Sequence, residues 1–90
     1  MALEFLGVLA SIAGVAMSFA HFIQAKKIFS TKSAKDISLA TYSIFFIGSI
    51  IWLLYGLSIG EFPVIISFGI SVIGTALVII LSLKLRQKNS

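Results

Sequence analysis

The sequence has no cysteine and a single histidine, His21, in 90 residues. The first absence removes disulfides, thiolate nucleophiles and thiolate metal sites, and one histidine cannot complete a metal centre from one chain. Charge is the second shortage. Only 11% of residues are charged, against about 25% in an average soluble domain, and the runs 5–25, 37–60 and 62–83 hold no Asp, Glu, Lys or Arg. A soluble domain this small leaves much of its surface in water and needs polar residues to cover it, whereas 59% of this chain is apolar. A soluble monomer is thereby excluded. No glycine-rich phosphate loop with its lysine is present, which excludes nucleotide hydrolysis. No pairing of carboxylates, of nucleophile with base, or of metal ligands is visible either, so the chain reads as no enzyme, with no cofactor and no metal.

What is present is three apolar runs. A helix rises about 1.5 Å per residue and the hydrocarbon core is about 30 Å thick, so each run is long enough to cross a bilayer once. The expectation is an all-α integral membrane protein, a single domain over 1–90. Its first span covers about 5–25, a loop 26–36, its second span about 37–59, its third about 62–84, and a tail 85–90. Lys26, Lys27, Lys32, Lys35 and Asp36 fall between the first two runs, Glu61 alone between the second and third, and Lys84, Arg86 and Lys88 after the third. By the positive-inside rule the 26–36 loop and the C-terminus face the cytoplasm and the N-terminus faces out. The pI near 9.8 then reports contact with anionic headgroups rather than with nucleic acid. The first run is not a signal peptide, since it lacks a basic n-region, carries Glu4 and ends in Lys26-Lys27. Pro63 sits where a first-turn proline is tolerated, and Ser38 or Asp36 is placed to cap the second helix.

The helix faces carry further information. In the first run Gly7, Ser11, Gly14, Ser18, His21 and Ala25 recur at spacings of four and three. Small residues so spaced let helix backbones approach closely, which is how association is won in lipid. The second run has the stripe Thr41, Phe45, Gly48, Trp52, Tyr55, Ile59, and the third places Ser67, Ser71, Gly74, Val78 and Ser82 near one line. Tyr55, about one turn from the outer end, suits an aromatic belt. Trp52 lies deeper, beside Gly48, and its indole N–H needs protein or a wet cavity; packing and ligand contact are equally open readings. His21 and Gln24 either reach the inner interface or a neighbouring helix, or serve a proton relay. The spans hold no other ionisable side chain except the tyrosines, which argues against ion or proton coupling.

Three blocks resemble a known family. Gln24-Ala-Lys-Lys-Ile-Phe-Ser-Thr31-Lys32-Ser-Ala-Lys-Asp36-Ile37-Ser38 resembles the PQ-loop of the bacterial SemiSWEET sugar transporters. Phe45-Phe-Ile-Gly48-Ser-Ile-Ile-Trp52-Leu-Leu-Tyr55-Gly56 is similar to their second helix, and Glu61-Phe-Pro63-Val-Ile-Ile to the start of their third. The resemblance covers about residues 15–85. It implies a SWEET-type triple-helix bundle that pairs as a parallel homodimer, a six-helix transporter in the bacterial inner membrane. It also implies facilitated movement of a small sugar by alternating access, with a sugar, a second copy and membrane lipid as partners. Three helices alone scarcely enclose a solute path, which favours the same pairing. The implied substrate-binding residues are Trp52, Phe68, Ser71 and Gly48. Tyr55 and Glu61 match the outer gate, and Thr41 and Tyr42 match positions near the inner gate. Two positions depart from the family pattern. Ile23 stands before Gln24 where the motif has proline, leaving Gly14 and Gly7 as the flexible points of the first helix. Phe68 stands where an asparagine is usual, with Ser67, Ser71 and Thr75 nearby to supply hydroxyls. The alternatives are a proton-coupled transporter using His21 from both protomers, and a non-transporting membrane scaffold.

Overall fold

The structure, a computed structural model, describes residues 2–35 and 37–89, with side chains described over 3–35 and 37–85. Its elements are α1 (Ala2–Thr31), α2 (Leu39–Ile59) and α3 (Phe62–Asn89), with no strand among the described residues. Each contains a stretch long and apolar enough to cross a membrane: Leu3–Thr31, Leu39–Ile59 and Phe62–Leu85. The chain is an all-α, multi-pass membrane protein.

The helix ends differ from the ends of the charge-free runs. α1 continues through Lys26 and Lys27 to Thr31, which shortens the connection expected over 26–36 to residues 32–38. The reason is that charge ends burial in lipid but does not end a helix; lysine is among the good helix formers. The extra turn is also held by packing, because Ala25 and Ile28 are buried with Ala34, Ile37 and Val78. α1 stops where Lys32 takes a left-handed conformation, φ 56°. α3 likewise runs past the expected tail to Asn89. α2 begins two residues later than its run, at Leu39, because Ser38 caps it: the Ser38 hydroxyl accepts the Thr41 N–H at 3.1 Å. Asp36, the other candidate cap, lies outside the described residues.

At the other end Gly60 closes α2 in the left-handed region, φ 69°, which glycine adopts without a Cβ penalty. The Glu61 N–H donates to the Gly56 carbonyl at 3.0 Å, and the Glu61 carbonyl accepts the Ile65 N–H at 3.0 Å, so α3 starts at once. Pro63 falls in its first turn, where a missing N–H leaves nothing unpaired.

α3 lies between its neighbours. It packs on both α1 and α2, while among the described residues no Cα of α1 comes within 8 Å of one in α2. The Cα trace measures 54 × 23 × 15 Å. The packing inverts that of a soluble protein. Ser18, Ser49, Ser67, Ser71, Thr75 and Ser82 are buried, whereas Leu3, Met17, Ile23, Ile44 and Phe62 are exposed. In lipid there is no hydrophobic gain in hiding leucine, so small residues that permit close contact take the interfaces. Gly74 shows how close: a Cβ there would lie 2.7 Å from the Cβ of His21 on α1.

Candidate functional site

A groove of about 650 Å³ runs between α1 and α2 with α3 also lining it. Its lining extends from Pro63 and Val64, near the Glu61 turn, to His21 and Phe45, nearer the lysine-rich end. There the rings of His21, Tyr42 and Phe45 meet, with centroids 5.7–6.0 Å apart and Tyr42 edge-on to both others. The two His21 contacts join α1 to α2.

Gly48, Trp52, Phe68 and Ser71 all line this groove, together with Gly14. The Trp52 and Phe68 rings stack with centroids 5.5 Å apart at 12°, and Tyr55 meets Trp52 edge-on at 5.7 Å. Trp52 is 50% exposed, so it is a groove wall and not a core residue. Its position follows from α2's spacing: Gly48 and Ser49 lie one turn below it, the first opening the groove and the second turning toward α3. The Ser49 and Ser71 hydroxyls lie 2.7 Å apart, buried, so an interhelical hydrogen bond forms a second rung one turn below the aromatic stack.

That bond bears on the hydroxyls expected near Phe68. Of the hydroxyls near Phe68, Ser71 is engaged with Ser49, and Thr75 is fully buried and donates to the Ser71 carbonyl at 2.7 Å. Thr75 therefore offers no hydroxyl proton to the groove, and Ser71 meets it as one half of a hydroxyl pair in which either oxygen donates. Ser67 is the one of the three whose hydroxyl makes no hydrogen bond among the described residues.

The remaining candidates are dispersed. Glu61 is exposed in the α2–α3 turn, and no hydrogen bond joins it to Tyr55 among the described residues. Thr41 is exposed and contributes its backbone N–H to the α2 cap. Tyr42 is half-buried, packed against the Ala25–Ile28–Val78 cluster as well as against His21. Ile23 is 70% exposed on the outside of α1, and Gln24 is half-buried beside it. Gly14 sits in unbroken helix, where a Cβ would lie 3.0 Å from the Ser67 hydroxyl. Sequence reasoning missed Ser49 and the His21–Tyr42–Phe45 cluster. The signal for Ser49 was its place three residues before Trp52, about 60° away around the helix on the side opposite to Gly48's offset of about 40°.

The fold and groove can be set beside known proteins. A model of the family described as sugar efflux transporter for intercellular exchange matches residues 4–90. The sugar transporter SemiSWEET of Bradyrhizobium diazoefficiens is 31% identical over 72 residues, 80% of this chain and 84% of that one. A crystal structure of a bacterial homologue of SWEET transporters superposes with a TM-score of 0.81 at 38% identity, covering 90% of this chain and 98% of the other. With all but its first three residues matched, the chain belongs to the family of sugar efflux transporters for intercellular exchange, and within it to the SemiSWEET type.

Proposed function

We propose that two copies pair as a parallel homodimer in the bacterial inner membrane and together carry a small sugar down its gradient by alternating access, with no coupled ion. The groove carries this reading. At about 650 Å³ it is within the range of small-molecule sites, roughly 300–1,000 Å³, and it is lined by three helices. Three helices scarcely enclose a solute path; a second copy facing them closes it. The half-exposed Trp52 then presents its ring to the C–H face of a sugar, as the wall of a binding site would. The absence of acidic and basic residues from the runs 5–25, 37–60 and 62–83 supports uncoupled movement.

In this scheme the lysine-rich end is cytoplasmic and the Glu61 turn is outside. Tyr55 and Glu61 close the outer mouth, and Tyr42, with Thr41 at the helix start, closes the inner one. The His21–Tyr42–Phe45 contacts support a closure at the lysine-rich end. With Ile23 in place of a proline before Gln24, bending of α1 falls to Gly14 and Gly7. The test is counterflow of labelled sugars into liposomes holding a preparation verified as dimeric. Flux is expected, and Trp52→Ala is expected to abolish it while leaving the dimer intact. A dimeric preparation that moves no sugar overturns the proposal, and full flux in Trp52→Ala reduces Trp52 to packing.

A further inference from the structure

Resting on that transport reading, we infer that the preferred cargo is a hydroxyl-poor monosaccharide, of the class of hexoses whose hydroxymethyl group is replaced by methyl. The argument is an inventory of polar groups in the groove. The Ser11 hydroxyl donates to the Gly7 carbonyl at 2.8 Å and the Ser18 hydroxyl to the Val15 carbonyl at 2.7 Å. Ser49 and Ser71 face each other at 2.7 Å, both buried. Ser67, the His21 ring and the Trp52 indole N–H make no hydrogen bond among the described residues, so these are the donors wholly left for a solute; Ser11 and Ser18 keep only acceptor lone pairs, and the Ser49–Ser71 pair, one turn below the stack, keeps one proton between them. His21 touches Phe45, seven residues below Trp52 on α2, and so lies about 10 Å further along the groove. A single sugar ring seated on Trp52 does not reach that far. At the level of the stack one protomer therefore offers Ser67 and one indole N–H.

The rest of that level is apolar. Phe68 stacks on Trp52 at 12°, and Val64, one turn away on α3, lines the groove with them. A hexopyranose carries a hydroxyl on nearly every carbon, and a hydroxyl taken from water to such a wall without a partner is penalised. Two protomers double the available groups and still fall short of a full set. Replacing the hydroxymethyl by a methyl removes the most protruding hydroxyl and supplies an apolar group for the wall. A hydrophobic pocket rejects an added hydroxyl only modestly, so the preference expected is about tenfold and no more than about a hundredfold.

The experiment is counterflow by the full-length dimer in liposomes, comparing D-glucose with 6-deoxy-D-glucose and D-galactose with 6-deoxy-D-galactose. The expected result is initial rates about tenfold higher for the deoxy member of at least one pair, at equal subsaturating concentrations. Phe68→Asn, which adds a donor and an acceptor at the stack, is expected to bring that ratio close to one, and Phe68→Leu to preserve it. Equal or faster flux of the parent hexoses in the natural protein overturns the inference while leaving the transporter reading in place. Flux of no sugar at all overturns the transporter reading and the inference with it. An unchanged ratio in a dimeric Phe68→Asn removes Phe68 as its cause and also overturns it. Should Phe68→Asn fail to assemble, the ratio in the natural protein decides.

Discussion

The contact between α1 and α3 at Gly74 can be tested by adding a single methyl. A Cβ at position 74 lies 2.7 Å from His21 Cβ and 3.2 Å from Phe22 Cε2. Carbon atoms prefer about 3.5–4.0 Å, so the first contact is about 1 Å too short, and His21 Cβ cannot move away by rotating a side chain. The helices must separate. Overpacking of this kind costs about 1–3 kcal/mol, whereas alanine gains about 1 kcal/mol over glycine as a helix former. The steric term offsets that gain, leaving Gly74→Ala less stable by up to about 2 kcal/mol. Gly69→Ala is the control. Nothing lies within 4 Å of its added Cβ, so only the propensity gain applies. Trp52 is the single tryptophan, and its fluorescence during heating in detergent reports unfolding without any label. The two variants then differ by about 1–3 kcal/mol, and at about 4–8 °C per kcal/mol for a chain of this size their Tm values should differ by at least about 4 °C, with Gly74→Ala lower. Equal midpoints would refute the close approach of α1 to α3.

Three further outcomes are expected. Ser49→Ala leaves the buried Ser71 hydroxyl without its partner and should cost about 1–3 kcal/mol, whereas Ser82→Ala removes a buried hydroxyl that has no partner among the described residues and should be neutral or stabilising; equal losses in the same melting assay would contradict this. Because the chain has no cysteine, Glu61→Cys and Lys32→Cys are clean reporters of orientation. A membrane-impermeant maleimide should label the first in intact cells and the second only after permeabilisation, and the reverse pattern would invert the proposed topology. A pH gradient imposed on liposomes should drive no accumulation of sugar, and accumulation that disappears in His21→Gln would establish proton coupling instead.

The three spans were legible because the bilayer excludes charge, and ten charged residues leave three clear gaps. The helix ends were not, since Lys26 and Lys27 mark where lipid ends rather than where hydrogen bonding ends. The α3 line of Ser67, Ser71, Gly74, Val78 and Ser82 was visible in its spacing, and it is buried as that spacing implies. The order α1–α3–α2 was not visible, because all three runs carry small residues and nothing local says which helix meets two neighbours. Gly48, Trp52, Phe68 and Ser71 were found from helical spacing together with a family resemblance. The Ser49–Ser71 bond escaped both, since it depends on two hydroxyls from different helices falling within 2.7 Å, and that decides which hydroxyls stay free.

The central place of α3 limits how the proposed cycle can work. α1 and α2 are each fixed to α3, through Gly74 against His21 and Gly56 against Val64 on one side and the other, and through the Ser49–Ser71 bond. They touch each other through the His21 contacts with Tyr42 and Phe45. Aromatic pairs of this kind are worth about 0.5–1.5 kcal/mol each, so opening the two costs about 1–3 kcal/mol. A difference of a few kcal/mol keeps the alternative state populated at about 0.1–10%, enough for a solute to shift. The interfaces with α3 are tighter, with no room for an added methyl at Gly74. Motion that opens the lysine-rich end should therefore hinge α1 and α2 about a persistent α3, parting the His21 rings while the Trp52–Phe68 and Ser49–Ser71 rungs stay closed. On that account the binding wall travels intact through the cycle, and only its exposure changes.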